Sequence, residues 1–191
     1  MWQQGPIAIL VLSLTTLGGC TLMPSGDTDD PPAPVVVEKR VQALSPTRDR
    51  LIKALEDNGL SVEARGRGVA VLLPGSLFAF GSSDIEIGAG DNIRVVAEVL
   101  NRNFVADRMV VVEGHTDSLG SAEYNLALSQ WRAEAVRDEL IFSGVPGSRI
   151  DVAWYGESRP IAVNRFRNGE DNPAGRARNR RVEILILDPR Q

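Results

Sequence analysis

The hydrophobic period of this chain switches repeatedly between helix and strand from Ile93 onward, and few architectures accept that pattern. "IRVVAEVLNRNF" places Ile93, Val96, Ala97 and Leu100 on one helical face. "RMVVVEG" is a short apolar run bounded by Gly114, the pattern of a buried strand. "YNLALSQWRAEAVRDELIFSG" predicts a long helix closing on Gly144. "RIDVAWYG" alternates, with Ile150, Val152 and Trp154 on one face, so Trp154 is expected to be largely buried. "RRVEILIL" is a final strand with Val182, Ile184 and Ile186 on one face. Strands alternating with helices predict an α/β fold, a two-layer sandwich in which helices back a sheet.

A smaller unit precedes this pattern. Ser45-Pro46 reads as a helix cap followed by proline at the first helical position. "TRDRLIKALEDNG" then sets Leu51, Ile52 and Leu55 at helical spacing and ends on Asn58-Gly59, with Gly suited to the left-handed cap. "LSVEAR" and "VAVLLP" read as two strands joined at "GRG". Residues 45–73 are therefore expected to add a helix and a β-hairpin to a main domain over 74–191. The net charge of −4 argues against a general nucleic-acid binder, which needs a basic stripe to displace counterions.

Ahead of the folded part stands an address. "IAILVLSLTTL", residues 7–17, is shorter than the run of about 20 apolar residues that spans a bilayer. Its length suits the apolar region of a secretory signal. Gly18, Gly19 and Cys20 follow, and "LGGC" resembles the bacterial lipobox. That resemblance implies a signal peptide over 1–19, a diacylglycerol on the Cys20 thiol, cleavage before Cys20 and acylation of the new amino group. Several acyl chains on one residue give lasting anchoring where one chain binds only marginally. "MWQQ" departs from the usual basic start, having no Lys or Arg. Thr21 stands where inner-membrane retention usually places Asp, which favours an outer-membrane anchor with the domain facing the periplasm. Cys20 is the only cysteine, so the chain forms no internal disulfide. Residues 20–44, rich in Pro and Asp, bury too little apolar surface to offset their ordering entropy. At about 3.1 Å per residue, an extended tether of roughly 20 residues reaches on the order of 60 Å.

"VVVEGHTDSLGSAEYNLALSQWRAEAVRDEL" resembles the central motif of the OmpA C-terminal family, which includes Pal and the periplasmic part of MotB. "GVPGSRIDVAWYGESRPIAVN" and "GRARNRRVEI" continue the resemblance in order, and together it runs from about Val69 to Leu187. It implies a βαβαβ-like fold with a mixed sheet and non-covalent binding of the diaminopimelate stem of peptidoglycan. The far end of that side chain carries an ammonium and a carboxylate. By resemblance, Asp117 accepts the ammonium and Arg132 forks onto the carboxylate, a role in which Lys is a poor substitute. Arg180 matches a second basic residue of the family pocket, Thr116 and Asn125 supply polar contacts, and Leu128 packs or touches the ligand. Two plainer readings stand beside these. Asp117 caps the following helix, or Arg132 pairs with Glu134 or Asp138 on a solvated face. One departure is Phe80-Gly81, where relatives often carry an aromatic-Asp pair. Backbone N–H groups of Gly81 and Ser82 are expected there instead, offered to a carboxylate of the ligand, since Gly permits close backbone approach.

His115, Asp117 and Ser118 or Ser129 invite a hydrolase reading, but a triad is defined by geometry, and no nucleophile-elbow motif is present. His115 is the only histidine, so a histidine-rich or thiolate metal site has no support, and no cofactor is implied. His115 is expected to be a satisfied structural residue at a strand end. The reading is thus a binder and not an enzyme: a lipoprotein tethering the outer membrane to peptidoglycan. The alternative is an envelope partner-binding or signalling lipoprotein that uses the same fold, with an envelope protein or a second copy of itself as partner. A stator subunit like MotB would need a true membrane span in place of the short run before Cys20. The anchor has a direct check. Cys20→Ser should abolish lipid attachment and leave soluble or uncleaved protein. A Ser variant that still fractionates with outer membrane would remove the lipobox reading.

Overall fold

The computed structural model describes residues 46–189; the expected signal segment, Cys20, the expected tether and the expected cap at Ser45 lie outside them. Helix α1 (Pro46–Glu56) turns its Leu51 and Leu55 inward, both fully buried. Strands β1 (Val62–Arg65) and β2 (Gly68–Pro74) form the expected hairpin, with Arg65 paired to Gly68 across a two-residue turn. Helix α2 (Asp91–Leu100) leads to β3 (Val110–His115), then to the 21-residue helix α3 (Ala122–Phe142). Strand β4 (Ile150–Trp154), a short helix α4 (Pro173–Asn179) and β5 (Arg181–Leu187) complete the order.

The sheet runs β1-β2-β5-β3-β4. Strands β3 and β4 are parallel, as expected of a pair joined through a helix, and β5 lies antiparallel to both β2 and β3. One face is apolar. Val69, Val71 and Leu73 of β2, Val182, Ile184 and Ile186 of β5, and Val110 and Val112 of β3 join α2 and α3 residues in a single core. Each such side chain contributes roughly 1.5–3 kcal/mol by leaving water. The mixed α/β sandwich expected from the alternating periods is therefore found.

Two expectations need correction. The segment "IRVVAEVLNRNF" runs to Phe104, but the helix carrying Ile93, Val96, Ala97 and Leu100 stops at Leu100. Buried Arg149, unmarked in the sequence, donates to the carbonyls of Leu100, Val105 and Arg108. It satisfies carbonyls that a helix end leaves without partners. Trp154 is 38% exposed and not buried. Its alternation is right, since Ile150 on the same face is buried, but β4 is an edge strand and Trp154 ends it. A neighbouring strand covers only one of its flanks.

Gly114 fixes how closely α3 lies on the sheet. A Cβ built there would fall 2.0 Å from the Ser129 carbonyl oxygen. No side chain fits, so helix backbone rests on strand backbone. Gly114→Ala should destabilise the domain by about 1–3 kcal/mol or more, the range for overpacking. It should also weaken ligand binding in the molecules that stay folded, because α3 carries Arg132. Urea titration alongside a binding assay checks both; an unchanged midpoint would show that α3 shifts without cost.

Candidate functional site

The strand-to-helix turn after β3 and the face of α3 that follows it build one cavity of about 520 Å³. That volume suits a small polar ligand end. Thr116, Asp117, Asn125, Leu128, Arg132 and Arg180, all expected from the sequence, line it together.

Asp117 is 6% exposed. Its Oδ1 accepts the Leu119 N–H at 3.1 Å, which braces the turn. It does not cap the helix: Ser121 does, accepting from the Tyr124 N–H at 3.2 Å. Its Oδ2 accepts from Arg180 Nη1 at 2.7 Å and lies 3.6 Å from Arg176 Nε. Arg180 is thus the ion-pair partner of Asp117 as well as a lining residue. Gly75 permits this approach by donating its N–H to the Arg180 carbonyl at 2.7 Å, where a Cβ would meet Arg180 at 2.8 Å.

Arg132 is 5% exposed. Its Nε donates to the Ser82 carbonyl at 2.9 Å, and its guanidinium carbon lies 5.1 Å from the Phe78 ring centroid. Among the described residues, no carboxylate stands within ion-pair distance of it. Glu134 bonds Gln130 instead, and Asp138 bonds Arg137. Burial pushes the Arg132 guanidinium below its ordinary range, Arg180 adds to that, and Tyr124 and Asp117 oppose it. A buried cation held by one carbonyl and one ring is incompletely compensated, and its remaining donors are free to fork onto a carboxylate.

The loop before α2 behaves differently from expectation. The Ser82 N–H is taken by the Ala79 carbonyl at 3.0 Å, so it offers nothing to a ligand carboxylate. Ser82 contributes its carbonyl to Arg132 instead. Gly81, at φ +68°, turns its carbonyl toward the Tyr124 hydroxyl at 3.4 Å. The loop therefore holds the cation in place and does not replace the missing carboxylate.

Thr116 donates its N–H to the Gly156 carbonyl at 2.9 Å, and its buried Oγ1 has no hydrogen-bond partner among the described residues. Asn125 bonds Glu157 at 2.7 Å and so ties α3 to the loop after β4. Asn179, fully buried, fastens that loop further by accepting the N–H groups of Ile161 and Ala162 and donating to Ala162 and Asn164. Arg176, Phe78 and Asn179 were missed. The "GRARNRR" string marked a basic cluster, but no pattern said which of its arginines turn inward.

On the sheet face opposite the apolar core, Glu113, His115 and Glu183 bring ligand atoms within 4.8 Å of one another. Both oxygens of Glu183 are already engaged, by Arg181 Nε at 2.6 Å and Arg65 Nη2 at 3.2 Å. A cation entering there would meet two guanidiniums. His115 is 2% exposed and neither ring nitrogen has a hydrogen-bond partner among the described residues, so it is buried but not satisfied. Its ring stacks on Tyr155, centroids 5.4 Å apart. Burial, reinforced by Arg181, Arg159 and Arg65, pushes its pKa down to about 3. A histidine depressed below its ordinary value stays neutral in the fold but gains a proton on unfolding. Its stabilising effect is therefore complete above about pH 6.5 and is lost as pH falls toward 3. Glu113, raised by burial and by Glu183, works in the opposite direction. His115→Gln should flatten the fall of the urea midpoint between pH 6.5 and 4 relative to wild type; parallel curves would show that His115 is solvated.

The OmpA family matches residues 77–179. Over 128 residues the chain is 38% identical to a peptidoglycan-associated lipoprotein of Pseudomonas putida, covering 67% of this chain and 69% of that protein. It is 42% identical over 120 residues to the photosystem I P700 chlorophyll a apoprotein A2 of Gloeobacter violaceus, covering 62% of this chain but only 14% of that protein. Among solved structures it resembles the cell wall anchor of the T6SS from Pseudomonas aeruginosa, with a TM-score of 0.62 and 28% identity, covering 74% of this chain and 99% of that one.

Proposed function

The chain belongs to the OmpA family, and from that premise and the geometry of the cavity we propose that it binds peptidoglycan non-covalently through the diaminopimelate of the stem peptide. One observation carries the reading. A buried guanidinium, Arg132, has no carboxylate partner among the described residues and shares a cavity with a buried carboxylate, Asp117. That arrangement complements a ligand end bearing an ammonium and a carboxylate on one carbon. The ammonium goes to Asp117, which keeps unused lone pairs beside its bonds to Leu119 and Arg180. The carboxylate goes to Arg132. Thr116 Oγ1, also in the cavity, has no hydrogen-bond partner among the described residues. Leu128 and Phe78 supply the apolar wall that keeps water from screening the pair.

The same reading makes the protein a binder and not an enzyme. The one histidine lies buried beside Glu183 on the sheet face opposite the apolar core, and Ser129 Oγ is occupied by the Leu126 carbonyl and the Gly156 N–H. With the lipobox-like "LGGC" it becomes an anchored protein that links the outer membrane to the wall, its domain in the periplasm. The similarity to a peptidoglycan-associated lipoprotein supports both the wall ligand and the envelope location.

Asp117→Ala and Arg132→Ala should each weaken retention on purified sacculi by about 2–5 kcal/mol, the range for removing one partner of a buried charge pair. The double variant should fall short of additivity, since both act on one bound group. Arg132→Lys should recover only part, having lost the planar fork. A folded double variant that co-sediments with sacculi as wild type does would refute the site.

A further inference from the structure

Asp117 is crowded by cations before any ligand arrives. Arg180 bonds it at 2.7 Å, Arg176 stands 3.6 Å away, and Arg132 lines the same cavity. Among the described residues, the other carboxylate that ion-pairs in this cluster is Asp171, with Arg176 Nη1. Three guanidiniums therefore share two carboxylates, leaving one positive charge in excess.

A ligand end with one ammonium and one carboxylate is neutral, so it does not remove that excess. It also creates a local conflict. An ammonium that reaches Asp117 sits beside Arg176 and Arg180 and competes with them for the same oxygens. The carboxylate that accompanies it is spoken for by Arg132, which has none of its own. The conflict is relieved if a second carboxylate enters with the ammonium and takes over Arg176 and Arg180. The two side chains differ in a way that suits this exchange. Arg180 is 41% exposed and free to swing from Asp117 to a ligand, while Arg176 is 13% exposed and held by Asp171.

Resting on the peptidoglycan reading, we propose that Arg176 and Arg180 form a second carboxylate-binding arm, so that the site selects a stem peptide presenting two free carboxylates around one ammonium. Two groups of a stem peptide have that chemistry: the α-carboxylate of its D-glutamate and the carboxylate at its C-terminal end. Amidation of the one that binds removes the charge without changing the shape.

The test is calorimetric titration of the full-length protein in detergent with the tripeptide L-Ala-γ-D-Glu-meso-diaminopimelate and its three single carboxamides. Amidation at the far diaminopimelate carboxylate should weaken wild type and Arg176→Gln alike, because that group belongs to Arg132. Amidation at either the D-glutamate or the C-terminal carboxylate should weaken wild type about tenfold or more, the size of one charged hydrogen bond. The same amide should make clearly less difference to Arg176→Gln, in which Arg180 alone remains, and none to Arg176→Gln/Arg180→Gln; the position that behaves so identifies the second group. Arg176→Lys should retain part of the discrimination. If Arg176→Gln fails to fold, the wild-type amide series and the Lys variant decide. Wild type indifferent to both of those amides, yet still dependent on the far carboxylate, overturns the second arm alone. Wild type that binds none of the peptides overturns the peptidoglycan reading and this arm together.

Discussion

Helix α3 lies with its backbone on the backbone of β3 at Gly114, and the binding cavity depends on that contact. Asp117 hangs from the turn that leaves β3, and Arg132 projects from α3 one turn beyond Ser129, the residue whose carbonyl lies over Gly114. The distance between helix and strand thus sets the distance between the two charges. Ser129 reinforces the contact through its hydroxyl, which accepts the Gly156 N–H, while Gly156 in turn accepts from Thr116. Three backbones are locked at one point, and the pocket is built on its rim. Preorganisation of this kind reduces the ordering cost of binding.

The electrostatics of the cavity are arranged as an exchange. Without ligand, Asp117 is compensated by arginines and by a backbone N–H, and Arg132 by a carbonyl and a ring. In the proposed complex ligand groups replace these internal partners, so net affinity would be the difference between two sets of strong contacts. Discrimination is sharper than affinity in such a site. A ligand that lacks one charge leaves a buried protein group without a partner, and that cost is larger than the gain from a well-made pair.

The opposite face of the sheet shows a different solution to buried charge. Glu113 and Glu183 face each other across β3 and β5, with His115 beside them and Arg65 and Arg181 closing the cluster. Here the charges are paired with one another, and the histidine remains neutral because burial and the nearby guanidiniums both oppose its protonation. The motif residue His115 and its neighbour Asp117 stand two positions apart, yet one belongs to this structural cluster and the other to the cavity. Strand β3 ends at His115, so the alternation that would keep positions i and i+2 on one face no longer governs Asp117 in the turn beyond it.

What the sequence by itself determined follows from local periodicity and turn chemistry. The switch between the two hydrophobic periods specified strands, helices and their order, and the hairpin at "GRG" set its own register. The ordered motifs marked Asp117, Arg132 and Arg180 as one constellation. Other features depended on neighbours far along the chain. Trp154 has the alternation of a core residue, and only its place at the end of an edge strand leaves it half open. Ser82 reads as a source of N–H groups, but a turn to Ala79 takes that donor and leaves its carbonyl for Arg132. Arg149 caps α2 from about fifty residues away, and Arg176 enters the pocket because Asp171 and Asp117 hold it there. Local pattern fixes which face of an element is apolar. How far that face is covered, and which donor meets which acceptor, is settled by distances that exist only once the elements pack.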